Sequence, residues 1–169
     1  MKAFPVIALL LLLSACNQQP VNTSQSPELD WSPREIILNQ DSTSISGTTY
    51  LSVYSEVYSY TPETTFPLTA TVSIHNTSSM DSIFITKADY YNTHGELIRN
   101  YIKKPIFVKP LESLQIVINE TDGTGGTGAN FLFDWVTKNS KNEPFFEAVM
   151  ISTSGQQGMS FTTQGVRTK

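Results

Sequence analysis

The sequence predicts an all-β fold, an antiparallel β-sandwich of immunoglobulin-like arrangement, on three observations. Apolar and polar residues alternate with period two over much of residues 48–163. Turn-forming clusters rich in Asn, Ser, Thr, Gly and Pro punctuate that alternation at short, fairly regular spacing. Almost no stretch carries the 3.6-residue period of an amphipathic helix. Many short strands with turns between them are the pattern of a sandwich or barrel, and the aromatic content (11%) suits half-buried pleated surfaces.

Taken in order, residues 48–60 place Leu51, Val53 and Val57 on odd positions and Tyr50, Tyr54, Tyr58 and Tyr60 on even ones. A strand sends those two sets to opposite faces, one aliphatic and one of tyrosines. Residues 66–74 continue the alternation, with Leu68, Ala70, Val72 and Ile74 against Thr69, Thr71 and Ser73. His75-Asn76-Thr77-Ser78-Ser79 is a turn cluster. Residues 82–91 form a strand, and Thr93-His94-Gly95 tips a hairpin into residues 96–101. Lys103-Lys104-Pro105 breaks that strand before Ile106-Phe107-Val108. Strands at 114–118, 130–136, 145–152 and 159–163 follow, with a glycine-rich loop ahead of the second. The count is about eight. Phe131, Phe133 and Trp135 share one face and are the expected centre of the core.

The front of the chain is of a different kind. Lys2 gives a positive start, Val6 to Leu13 are unbroken apolar, and Leu13-Ser14-Ala15-Cys16 ends the run at the single cysteine. A membrane-spanning helix needs about 20 apolar residues, and this run is about half that. Charge, short apolar core and small residues are the layout of a secretory signal segment, and the closing quartet resembles the bacterial lipobox. Cys16 is therefore the expected lipidation site and new N-terminus, with enough acyl chains for a stable anchor. Residue 17 is not the aspartate associated with inner-membrane retention, so the outer membrane, periplasmic face, is expected in a two-membrane host. Polar residues from 17 to about 32 read as a flexible tether. Trp31 marks where it first docks, and Glu35-Ile36-Ile37-Leu38 is a short strand or part of the linker. The expected division is 1–15 signal peptide, 16–43 lipidated cysteine and tether, and 44–169 sandwich.

Composition narrows function. What remains after residue 15 suffices for one domain with a core. The formal charge is −4, and removal of Lys2 makes it one unit more negative. Nucleic-acid binding and a polybasic membrane face both need clustered Lys and Arg, so neither is expected. With Cys16 committed to lipid, no thiol is left for a disulfide, a metal or a nucleophile. The glycosylation-type triplets at Asn22, Asn76 and Asn119 read as incidental in such a chain.

Two stretches could carry binding. Residues 122–130 run Asp122-Gly123-Thr124-Gly125-Gly126-Thr127-Gly128-Ala129-Asn130. Glycine-rich backbone can aim N–H groups at an anion, and Asp122 and Asn130 offer oxygens at the two ends. A nucleotide loop would add a lysine and a helix, and here a strand follows instead. The competing reading, a wide connection whose glycines permit close backbone approach, weighs more. The second stretch is the tyrosine face, Tyr50, Tyr54 and Tyr58 with Glu56 among them, a platform for sugar, peptide or partner; packing is the heavier reading there too. Tyr90 and Tyr91 are adjacent and face opposite sides. His75 and His94 fall in predicted turns without a familiar motif around them, and no catalytic set, cofactor or metal is expected. Glu147 interrupts an apolar strand, either pointing outward or buried with a partner.

Several phrases occur together: Tyr54-Ser55-Glu56-Val57-Tyr58, Leu68-Thr69-Ala70-Thr71-Val72-Ser73-Ile74, Asp89-Tyr90-Tyr91, Gly125-Gly126-Thr127-Gly128-Ala129-Asn130-Phe131, Glu147-Ala148-Val149-Met150-Ile151 and Gln157-Gly158. In these the chain resembles an uncharacterised bacterial family of secreted or lipid-anchored proteins, domain of unknown function three-one-two-four, over residues 48–165. That pattern often has a histidine where this chain has Glu56, which weakens a histidine ligand or base on the tyrosine face. The resemblance implies a fold and a compartment, and no reaction. The resulting expectation is a non-catalytic envelope lipoprotein that binds a partner protein or a glycan. The alternative is a small-molecule or metal-binding protein with its site at the 122–130 loop.

Overall fold

The computed structural model describes residues 29–38, 44–153 and 158–169. Cys16, the expected signal segment and most of the tether lie outside them. Twelve strands occur among the described residues, β1 Ile45–Ser52, β2 Glu56–Ser59, β3 Thr61–Pro67, β4 Thr69–His75, β5 Ile83–Tyr91, β6 Leu97–Asn100, β7 Ile106–Val108, β8 Ser113–Ile118, β9 Asn130–Thr137, β10 Phe145–Ser152, β11 Met159–Gln164 and β12 Val166–Arg167. One sheet runs β12-β1-β9-β5-β6, with β7 sharing the far side of β5 with β6; a second runs β11-β10-β4-β8; β2 and β3 form a separate hairpin. Every pairing is antiparallel. The fold is the expected β-sandwich.

Alternation selects what the sheets enclose. Along β10, Phe146, Ala148 and Met150 are buried, while Phe145, Glu147, Val149 and Ile151 are more open. Glu147 therefore points outward, opposite Ser73 on β4 and Gln164 on β11. Phe131, Phe133 and Trp135 are buried as expected. Rings pack in series through the core: Tyr90 on Phe131 (4.8 Å between centroids), Phe131 on Phe133 (5.2 Å) and Phe133 on Phe146 of the opposite sheet (4.4 Å). Aromatic pairs at such spacings contribute about 0.5–1.5 kcal/mol each beyond area burial. Trp135 places its indole N–H on Thr49 Oγ1 (2.9 Å), so its polar edge is satisfied within the core.

Two differences from the sequence reading stand out. Residues 48–60, read as one alternating run, belong to two elements. Odd positions 47, 49, 51, 53 and 55 stay buried throughout, but β1 leaves β9 after Ser52. Val53 N–H then donates to the Ala129 carbonyl (2.9 Å) and Ser55 N–H to the Gly126 carbonyl (3.2 Å). Side-chain parity survives such a change of backbone partner, so periodicity does not register it. Similarly, residues 66–74 divide at Leu68, where Pro67 ends β3 and Leu68 N–H turns to the Ser55 carbonyl (2.9 Å); proline has no N–H to extend a ladder.

The folded body also takes in residues ahead of 44. Trp31 packs against the core. Ser32–Arg34 make a 3₁₀ turn, Glu35 bridges to Ile106 of β7, and Ile36 N–H donates to the Pro105 carbonyl (2.9 Å). Trp31 is thus the docking point its position suggested, and Glu35 and Ile36 form an edge contact.

Candidate functional site

The glycine loop and the tyrosine-bearing stretch, some 70 residues apart in sequence, meet in space. Gly123–Gly128 fold into two short 3₁₀ turns kinked at Gly126, where φ is 73°, and β2 and its approach pack against them through the Ser55 N–H and hydroxyl, both donated to the Gly126 carbonyl. On its other side the loop lies on the β5–β6 turn. Thr93 N–H and hydroxyl donate to the Gly125 carbonyl (3.0 and 3.1 Å), and Thr93 Oγ1 accepts from Gly128 N–H (2.9 Å). Gly125 is glycine because a Cβ there would collide with the Tyr90 hydroxyl.

Amides that could have converged on an anion are in part already used. Asp122 Oδ1 accepts from Thr124 N–H (3.3 Å) and its hydroxyl (2.5 Å), and Gly128 N–H is on Thr93. Asp122 also pairs with Arg99 (2.8 Å). Burial alone would raise that carboxyl, but hydrogen bonds from Thr124 and Arg99 outweigh it and hold Asp122 below the usual carboxylate range. Arg99 in turn donates to Tyr101 Oη (2.9 Å) and lies over that ring. Asn130, the other end of the loop, is the first residue of β9, paired between Ser52 and Tyr91. This geometry favours the structural reading of the loop, a splice joining β2, the β5–β6 turn and β9.

Beneath the splice sits a buried phenol. Tyr90 is fully buried, and among the described residues its hydroxyl finds no hydrogen-bond partner. Burial pushes its pKa up to about 12, with the nearby Ser55 hydroxyl opposing the rise. Sequence reasoning missed Arg99, Ser55 and Thr93 as partners of the loop, because each contact bridges residues more than 20 apart and no local motif announces them.

The three tyrosines have different surroundings. Tyr50 stands on the outer face of β1, and Tyr54 packs beside Phe161 of β11 (6.1 Å). Tyr58 is 64% exposed on β2. They do not make one open platform, because Tyr54 is taken up in packing. Glu56 accepts from the Thr65 hydroxyl across the hairpin (2.9 Å). At the hairpin tip Tyr60, 95% exposed, adopts φ 58°, a left-handed conformation that costs an L-residue on the order of 1–2 kcal/mol. Its ring meets Phe66 edge-on (6.1 Å). Tyr58, Ser59, Tyr60, Thr61 and Pro62 line a shallow concavity of about 360 Å³. His75 ends β4 with Nδ1 2.6 Å from Ser113 Oγ, stacked on Phe145, and His94 is exposed in the β5–β6 turn. Among the described residues no three His, Cys, Asp or Glu side chains gather to hold a metal.

An antiparallel two-sheet sandwich with an aromatic core and one projecting hairpin is the class that these features define. The family described as Protein of unknown function (DUF3124) matches residues 46–168. The chain belongs to that family, as the resemblance implied. No curated protein matches. Among solved structures, the crystal structure of Thermotoga maritima 1070 aligns with a TM-score of 0.45 at 8% identity, over 71% of this chain and 92% of that one.

Proposed function

We propose that this protein is a lipid-anchored cell-envelope protein whose sandwich is a non-catalytic interaction module for a partner protein or a glycan. Leu13-Ser14-Ala15-Cys16 supports the anchor, since that quartet closes a signal-length apolar run at the single cysteine. The observation that carries the binding half is the β2–β3 hairpin. Tyr58 and Tyr60 hold large rings in solvent around an open concavity, beside the exposed Thr61. Exposed tyrosines, one of them with a left-handed backbone, do nothing for the core, and an amphipathic ring is suited to stacking on a sugar face or filling a partner's pocket.

The test is recovery of ligand from detergent-solubilised envelopes by the tagged protein, compared with a Tyr58→Ala/Tyr60→Ala double variant. A partner or glycan retained by the wild type and lost at least tenfold by the variant is expected. Equal recovery by both removes the hairpin from the reading, and recovery by neither removes the binding reading. Anchoring is tested separately by incorporation of labelled palmitate, expected in the wild type and abolished by Cys16→Ser.

A further inference from the structure

Among the described residues, the strand edges of this sandwich are guarded with one exception. An unpaired edge offers a row of free N–H and C=O groups, and proteins ordinarily shorten, bend, cover or charge such strands. In the six-stranded sheet β12 is two residues long. β6 is four residues long, and its pairing to β5 shifts register between Tyr90 and Tyr91. β7 is covered by the Glu35 bridge and the Ile36–Pro105 hydrogen bond. The hairpin strand β3 contains Pro62 and Pro67. In the four-stranded sheet β11 lies beside the end of β1, with the Thr163 hydroxyl on the Ser52 carbonyl (2.6 Å).

Among the described residues, β8 has none of these devices. Ser113-Leu114-Gln115-Ile116-Val117-Ile118 contains no charge, proline or glycine. It pairs with β4 in unbroken register from His75↔Ser113 to Ala70↔Ile118. Leu114, Ile116 and Ile118 point into the core, while Ser113, Gln115 and Val117 are exposed, Val117 by 46%. Among the described residues, no further backbone hydrogen bond engages residues 113–118.

We infer that β8 pairs edge-to-edge with β8 of a second copy, joining two four-stranded sheets into one continuous eight-stranded sheet about a two-fold axis. An antiparallel edge pair is self-complementary under that symmetry. Centred on Gln115, it sets Ser113 opposite Val117 of the other copy and Gln115 opposite its counterpart. A chain of net charge −4 is favoured to meet itself where it carries no charge, and β8 is such a place. The neighbouring outer face continues the surface, with Glu147 the one acidic or basic side chain among the outward residues of β4, β8, β10 and β11 apart from His75. This inference does not depend on the ligand of the hairpin.

The test is cross-linking of the full-length protein in its own membranes. A Gln115→Cys variant treated with a short bismaleimide is expected to give a band of twice the chain mass, at least tenfold stronger than a Ser160→Cys variant on the far strand or the wild type. Adding the exposed Val117→Lys substitution should reduce that band tenfold by placing like charges at the edge. Sedimentation of the detergent-solubilised chain should show a dimer that Gln115→Lys converts to monomer, with an unchanged dichroism spectrum. A Gln115→Cys band no stronger than the Ser160→Cys band, one insensitive to Val117→Lys, or one with the mass of a different protein would each overturn self-pairing.

Discussion

At one side of the sandwich the chain itself crosses between sheets, β11 running into β12 through Gly165. At the other side, residues 31–36, which arrive from far away in sequence, lie along β7 and reach the β7–β8 turn through Arg34 and Glu112. The first seam is closed by packing. Gly165 N–H donates to the Phe146 carbonyl (2.9 Å), and the backbone is pressed so near that a Cβ would stand 2.7 Å from Thr49 Cγ2 and 3.0 Å from Phe146 Cβ. The second is closed by polar groups. Arg34 makes two hydrogen bonds to Glu112 (both 2.8 Å), Lys104 pairs with Glu35 (2.6 Å), and Asn76 ties the β7–β8 turn to its surroundings. Packing at Gly165 responds little to pH and salt, even though Arg167 of β12 also pairs with Glu143, whereas the polar seam is exposed to both. The open strand, β8, begins just past the polar seam, after Glu112.

The contrast is broken most directly at Gly165. Replacement by Val forces a branched side chain between Thr49 and Phe146, and overpacking of this kind costs about 3 kcal/mol. Urea denaturation should show that loss at pH 7 and at pH 5 alike. Next is Asn76→Ala. Asn76 is buried, its Nδ2 donates to the carbonyls of Asp81, Val108 and Lys109 (2.8–3.1 Å), and its Oδ1 accepts from Ser78 N–H. Removing it strands buried carbonyls at about 1–3 kcal/mol, read by the same denaturation. Geometry thus gives this asparagine a structural task that leaves its amide unavailable to a sugar.

Between the seams, Tyr90 sharpens the comparison by bringing pH into the core. Its folded pKa is raised to about 12 from an unfolded value of about 10. The stability this shift contributes is complete below pH 10 and lost as pH rises from 10 towards 12. Tyr90→Phe removes both the titration and an unpartnered buried hydroxyl. The variant should match or slightly exceed the wild type at pH 7 and exceed it by roughly 2–3 kcal/mol near pH 12. Parallel alkaline denaturation curves for the two proteins would refute it.

Periodicity made the packed seam's ingredients legible. The inward Phe131, Phe133 and Trp135 follow from a two-residue repeat, because burial of one face imposes that repeat directly; Glu147, left open between an outward and a buried place, proves to point outward. The polar seam was not legible: Arg34 and Glu112 are 78 residues apart, and a charge on a polar stretch looks the same whether or not it has a partner. For the site, the sequence picked out both the glycine loop and the tyrosine stretch, yet gave no sign that Ser55 would join them. Nor could it show that Tyr54 is packed while Tyr58 is open, since the alternation is the same at both.

The smallest expected effect lies in the bidentate pair itself, and it is the one whose sign separates the seams. Hydrogen bonding from Arg34 holds Glu112 below the usual carboxylate range, against an upward push from burial. A depressed folded pKa stabilises above the unfolded value of about 4.3 and ceases to do so as pH falls through the folded value. The two side chains remain 28% and 23% exposed, so solvent screening limits the pair to no more than about 1 kcal/mol. Arg34→Ala should therefore be less stable than the wild type by up to that amount at pH 7 and low salt. The gap should shrink in 1 M salt and close as the pH is lowered below 4, since protonated Glu112 no longer distinguishes the two proteins. A gap that persists unchanged at low pH would mean that Arg34 acts through its packing over the Phe107 ring and not through Glu112, and that this seam, too, is closed by packing.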